Sequence, residues 1–381
     1  MKGKTFLILL VAASVLAALS FLRFGGGKNT GAVKMGEKLL ADLTVNEVAT
    51  VTIADSENSV TLVKGDKVWQ VKERSGYPAN FDELRDTVVK LSRLKIGRSF
   101  SGSPESLARL SLMAPSASDA SAGGKQITLK DQSGEVLADV ILGQSRKADS
   151  GGGGGQYLKK ADADTIFLVD GNFRFLKTAP AQWLKKEIVD IKAEDVASVT
   201  CYAGDSRIPV YTLSRPEKGE SARMTPVPPG RTADPAKIDQ VFDALAPLTL
   251  DDVQPGAGKP PVAEPDRSRL VYRLYDGRQI SIFPDFDGKD SYTLRVAAKE
   301  EESMAETEAV DVTEPAPEDG ETRKGETAKQ DTTISDLKTA QQLNEELSQW
   351  VFSVKKWQFD SFITQPASLL EELKKENDST S

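Results

Sequence analysis

The chain has 381 residues, 39% of them apolar, which exceeds the usual size of one hydrophobic core and supplies enough apolar side chains for two. It holds no histidine and a single cysteine, Cys201, which excludes imidazole and thiolate metal clusters, Ser-His-Asp and Cys-His machinery, and any internal disulfide. The formal charge of -8 sits in one segment: between Lys299 and Asp331 twelve acids face four bases, so the remainder is neutral and lacks the basic face that nucleic acid requires.

Lys2 and Lys4 precede an uncharged run from Thr5 to Leu22, rich in Leu, Val, Ala and Phe and long enough to span a bilayer as one helix. We expect residues 1–24 to form a transmembrane signal anchor with the body exported, followed by a linker over 25–40 that opens with Gly25-Gly26-Gly27. The alternative is a cleaved signal peptide, for which Ala18-Leu19-Ser20 is a tolerable site. With no cysteine in this region, a lipoprotein is excluded.

The body carries an internal echo. Val45 to Ile53 reappears as Ala193 to Cys201, with Val48, Ala49, Val51 and Thr52 identical to their counterparts and Cys201 in the place of Ile53. Ser59 to Val63 and Val68 to Val71 alternate as strands around Lys64-Gly65-Asp66-Lys67. Phe81, Leu84, Val88, Leu91 and Leu94 then predict a helix, with Asn80 and Glu83 as its capping box. In the later copy Asp234 and Pro235 start a helix carrying Ile238, Val241, Leu245 and Leu248.

Strands are predicted after each helix: Gln126 to Lys130, Val136 to Leu142 and Thr165 to Val169, then Leu270 to Tyr275, Gln279 to Phe283 and Tyr292 to Val296. Turns fall at Gln132-Ser133-Gly134 and Asp276-Gly277, while Gln182-Trp183 and Gln349-Trp350 stand near the close of each unit. The fold class is therefore α+β: an N-terminal transmembrane helix followed by two related units of mostly antiparallel sheet plus helices, an internal duplication. The first unit spans 41–190 and the second 191–366, with a disordered acidic insertion over 299–331. Leu337, Ala340, Leu343, Leu347 and Trp350 predict a helix beyond that insertion, and 367–381 reads as a tail helix.

At Val68 to Val71, Tyr77 to Asn80, the Glu83 to Leu94 helix and the Pro104 to Leu110 turn, the chain resembles the bacterial domain-of-unknown-function family 4340 (DUF4340). The likeness continues through Ile141 to Gln144, Gln156 to Lys160 and Val196 to Val199, covering Leu39 to Leu250. It departs at Ser111 to Pro115, where the family commonly has a Gly-Leu turn before proline, and at the Ser116 to Gly124 insertion. The resemblance implies a membrane-anchored envelope protein, often associated with ABC-transporter and gliding-motility-type auxiliary components, with no established activity and no catalytic residues to carry over.

Candidate chemistry is sparse. Gly151 to Gly155 lacks the Lys-Ser/Thr of a phosphate loop, and Asp285 to Asp290 has its glycine at the wrong position for a calcium loop. Ser92 to Lys95 and Ser353 to Lys356 match a serine-lysine spacing without companion motifs. Cys201 reads as a small buried hydrophobe. Of the tryptophans, Trp69, Trp183 and Trp350 suit core positions at element ends, leaving Trp357, in Lys355-Lys356-Trp357-Gln358-Phe359, as the binding aromatic to examine.

These readings point to a non-enzymatic binding or scaffolding protein of the cell envelope, without catalytic residues, metal or cofactor. It would be single-pass in the bacterial inner (cytoplasmic) membrane with its body in the periplasm. Its partner would be an envelope protein complex, in the transporter-associated sense that the resemblance implies. The alternatives are a module binding cell-wall glycan or peptide and a carboxylate-based hydrolase, for which the many acids nominate no pair.

Overall fold

The computed structural model describes residues 35–116, 119–146, 154–256, 267–300 and 338–371. The expected anchor at 1–24, most of the linker, and the acidic insertion beyond Glu300 lie outside them. Among the described residues no helix is long and apolar enough to cross a membrane. The chain divides into two compact units, Met1–Lys64 with Asp82–Ala179, and Gly65–Phe81 with Pro180–Ser381. The changeover thus falls at Ala179, and a short earlier segment packs with the later half.

In the first unit a 3-10 turn, Val45–Glu47, leads into β1 (Thr50–Ala54) and β2 (Ser59–Lys64). Alternation decides which way the side chains point: Val51 and Ile53 of β1, and Val60 and Leu62 of β2, are fully buried, while the threonines between them face outward. The segment Gly65–Phe81, which groups with the later half, carries β3 (Trp69–Val71) and β4 (Tyr77–Pro78), paired antiparallel with each other. Helix α1 (Phe81–Ser92) buries Leu84, Val88 and Leu91, as its stripe predicts, but Phe81 at its first position is half exposed.

β5 (Ile96–Ser101), helix α2 (Pro104–Arg109), β6 (Lys125–Lys130), β7 (Val136–Ser145), β8 (Gln156–Lys160) and β9 (Thr165–Val169) complete the unit. Its strands run β2-β1-β6-β7-β8-β9-β5, every neighbour antiparallel. Helix α2 starts with a capping box in which the Ser103 hydroxyl accepts from the Ser106 N–H and the Ser106 hydroxyl accepts from the Ser103 N–H, with Pro104 at the first helical position. Leu107 of this helix, Leu112, Ile141 and Ile166 form a small core of their own. Between them Ser111 has φ of 53°, in the left-handed region, which is the physical reason a glycine suits that place in the turn.

The second unit repeats much of this order. The 3-10 turn Ala193–Asp195 leads into β11 (Val196–Ala203), after β10 (Glu187–Val189), and β12 (Pro209–Ser214) and β13 (Arg223–Thr225) follow. Helix α3 (Pro235–Phe242) is capped by Asp234, whose carboxylate accepts from the N–H groups of Ala236 and Lys237, with Pro235 at its first position. It ends earlier than its stripe predicts: Leu245 lies in a 3-10 turn and Leu248 opens β14 (Leu248–Thr249), both still buried.

β15 (Asp252–Pro255), β16 (Ser268–Leu274), β17 (Arg278–Phe286), β18 (Tyr292–Glu300), helix α4 (Ala340–Leu347), β19 (Trp350–Ser353) and helix α5 (Lys356–Asp360) follow. The eight strands run β13-β12-β11-β16-β17-β18-β19-β15, again antiparallel throughout. β10 and β14 pair separately. The predicted helix ending at Trp350 is corrected: α4 stops at Leu347, and Trp350 begins a strand paired with Pro255. In the predicted tail helix the described part is a 3-10 turn, Pro366–Leu369, which buries Leu369 and Leu370.

The Gly65–Phe81 segment is fixed within the second unit by three contacts. Tyr77 meets Trp350 edge-on at 5.2 Å, and the Asn80 N–H donates to the Trp183 carbonyl at 2.7 Å. Arg74 forks onto Asp252, Nε to Oδ1 at 2.5 Å and a terminal nitrogen to Oδ2 at 2.7 Å. Burial works to raise the Asp252 carboxyl, but the Arg74 bonds and the Val253 N–H outweigh it and hold it below the ordinary carboxylate value. A carboxyl depressed by folding stabilises above its unfolded pKa of about 3.9, and that contribution disappears as pH falls through the lower folded value. Denaturant titrations between about pH 5 and pH 2 should therefore show the wild type losing more stability than Asp252→Asn. Parallel losses would mean that the fork contributes nothing.

Candidate functional site

The one site residue singled out in the sequence, Trp357, lies on α5 and is 67% exposed. The other tryptophans differ: Trp183 and Trp350 are buried and Trp69 is half-buried, so they form no exposed aromatic platform. Helix α5 is short, and its position is set by the two residues after Trp357. Gln358 and Phe359 are buried, with the Gln358 amide against Thr249.

Phe359 closes a three-ring cluster. Phe286 at the end of β17 stacks on Tyr292 at the start of β18, with centroids 4.9 Å apart and planes inclined by 11°. Phe359 packs on both, 6.3 Å from Phe286 and 5.2 Å from Tyr292. Lys356 adds its ammonium 5.8 Å over the Tyr292 ring while pairing with Asp360 one turn on. Offset stacking and tilted contacts of this kind contribute about 0.5–1.5 kcal/mol per pair beyond area burial, so the short helix has a rigid base. Phe286 remains 40% exposed and Ile363, past the helix, 43%. On and beside this short helix the exposed apolar side chains are therefore Trp357, Phe286 and Ile363.

The turn between β17 and β18 is built by Asp287, whose carboxylate accepts from the N–H groups of Lys289 and Ser291, with Gly288 at φ of 81°. Asp285 instead pairs with Arg267. The calcium-like spacing therefore supplies turn chemistry, and among the described residues no group of three or more possible ligands comes together. Gly155 abuts the Val169 carbonyl, where a β-carbon would sit 2.4 Å away, so close chain approach accounts for it. The Ser92 hydroxyl donates to the Val89 carbonyl, and Lys356 is engaged with Asp360. Cys201 is buried in β11 beside Tyr211, and burial pushes its thiol up, which disfavours the reactive thiolate.

What positions Trp357 was invisible in the sequence, because Phe286, Tyr292 and Phe359 come from segments far apart in the chain. Two antiparallel, sheet-rich units, the second with an aromatic cluster at the tip of one hairpin, define an α+β protein. The family is narrower. The model described as Domain of unknown function (DUF4340) matches residues 69–270, more than half of the chain, and the chain belongs to that family. The match begins at Trp69 in β3 and ends at Leu270 in β16, so it reaches into both compact units. No curated protein and no solved structure matches the chain.

Proposed function

We propose that this chain is a non-enzymatic binding or scaffolding protein of the cell envelope, anchored in the inner membrane by residues 1–24 with its body in the periplasm. Its partner is another envelope protein, in a complex of the transporter-associated kind. The observation that carries the reading is Trp357: an indole two-thirds exposed on a helix held by three packed rings. Tryptophan held rigidly at a surface loses little side-chain freedom on binding and is enriched among the residues that dominate protein interfaces.

Part of the same proposal is that the two units arose by duplication. Its support is the shared connectivity, β2-β1-β6-β7-β8-β9-β5 against β12-β11-β16-β17-β18-β19-β15. Register agrees: Val51 faces Leu62 as Val199 faces Leu213, and Ile53 faces Val60 as Cys201 faces Tyr211. The Lys64 N–H donates to the Ala49 carbonyl as the Arg215 N–H donates to that of Ala197. The echo also moves one equivalence. The Trp183 carbonyl accepts from the residue before α1, and Leu369 does the same for Asp234 before α3, so Leu369 and not Trp350 is the counterpart of Trp183.

The test is affinity purification of the full-length protein from its own membranes after mild crosslinking, beside Trp357→Ala and a control lacking Met1 to Phe24. We expect one reproducible envelope partner with the wild type and at least about a tenfold lower recovery with Trp357→Ala, as for an interface anchor. Equal recovery from wild type and variant removes the patch from the interface. A glycan is the second reading, since an exposed indole also stacks on sugar rings; retention on purified cell wall that Trp357→Ala abolishes would select it.

A further inference from the structure

The first unit contains a hollow of about 690 Å³, within the range of small-ligand sites. It lies among the turn after β1, the loop before β6, the end of β7 and the stretch after β9, and its floor is fixed by hydrogen bonds. The Asp55 carboxylate accepts from the N–H groups of Glu57 and Asn58 and from the Thr178 hydroxyl at 2.6 Å. Buried Gln156 braces the opposite wall, its amide donating to the Gly143 carbonyl at 2.8 Å and accepting from the Phe173 N–H at 2.6 Å. Lys125 is spent on the Leu176 carbonyl.

Two charged side chains on this wall have no hydrogen-bonding or ionic partner among the described residues. Glu57 presents a carboxylate, and the Arg174 guanidinium only stacks on Phe175, 4.5 Å from the ring centroid. Phe175 is 81% exposed, the most exposed large apolar side chain among those described. Uncommitted charges of opposite sign in one polar hollow, with an aromatic at hand, complement a ligand that carries both an ammonium and a carboxylate. Phosphate-bearing ligands fit less well, because Arg174 is the single uncommitted cation on the wall.

We propose that this hollow binds short peptides with free termini, Glu57 receiving the amino end and Arg174 the carboxylate. The site is independent of Trp357. The test is calorimetric titration of the full-length protein in detergent with trialanine, and with the same peptide acetylated and amidated at its ends. Saturable binding of trialanine is expected, at least about tenfold weaker for the capped peptide and for Glu57→Gln and Arg174→Ala, as loss of a hydrogen bond to a charged group implies. Trp357→Ala should bind trialanine unchanged. Both variants replace exposed side chains, so their melting should match the wild type. No saturable binding by the wild type, or equal binding of capped and free peptide, overturns the proposal, as does undiminished binding by both variants.

Discussion

Trp183→Ala should lower the stability of the second unit by about 3–5 kcal/mol, the usual cost of emptying a fully buried indole site. No part of Trp183 is exposed, and it sits in a 3-10 turn, Pro180–Trp183, that leaves little freedom to close around a lost side chain. Its backbone is committed on one side: the carbonyl accepts from the Asn80 N–H at 2.7 Å, and Ala79 bridges to Leu184 next to it. Urea unfolding followed by far-UV circular dichroism would measure the loss, with Trp357→Ala, within about 0.5 kcal/mol of wild type, as the surface control. A loss below about 1 kcal/mol at Trp183 would show that the surrounding core collapses into the space.

Gly143→Ala should be nearly as damaging for the opposite reason, overfilling. A β-carbon there would come 2.2 Å from the Leu110 carbonyl oxygen and 2.8 Å from the Leu112 side chain. The oxygen cannot withdraw freely, since the Gln144 N–H donates to it at 2.9 Å, and Leu112 is fully buried in the core beneath α2. We expect about 3 kcal/mol, the upper part of the range for overpacked sites. Gly134→Ala separates sterics from backbone strain. Its β-carbon would meet open space, and only its φ of 89° opposes the change, for about 1 kcal/mol. If the two substitutions cost the same, the close approach at Gly143 is relieved by backbone movement.

Where apolar and polar residues alternate, the strands could be read directly. β1, β2, β6 and β9 fall where Val51, Ile53, Leu62, Ile127 and Ile166 mark them, and Gly134 and Gly277, with φ of 89° and 86°, take the turns assigned to them. Several strands escaped, and for β5 and β8 of the first unit the reasons are identifiable. β5, Ile-Gly-Arg-Ser-Phe-Ser, is exposed along most of its length and has no apolar face to register. β8 buries Gln156 and Lys159, polar residues that break the alternation; the Lys159 ammonium is satisfied by the carbonyls of Lys160, Ala161 and Ala163. Periodicity also overran α4, because Trp350 keeps helical spacing from Leu347 while its backbone has already entered β19. At the candidate site, Trp357 stood out as an aromatic without a structural explanation. The hollow of the first unit gave no such sign, because Glu57 and Arg174 are 117 positions apart in the chain and ordinary surface residues by themselves.

The Gly65–Phe81 segment belongs to a unit whose remaining residues are made much later. Tyr77 leaves the ribosome long before Trp350, its edge-on neighbour, has been synthesised. At about 5–20 residues per second that interval is on the order of tens of seconds. Until then Tyr77 and the guanidinium of Arg74 lack Trp350 and Asp252, whereas the last residue of the first unit, Ala179, has been made well before. The segment can therefore reach its final packing only after synthesis has passed Trp350, which makes the second unit the last to close.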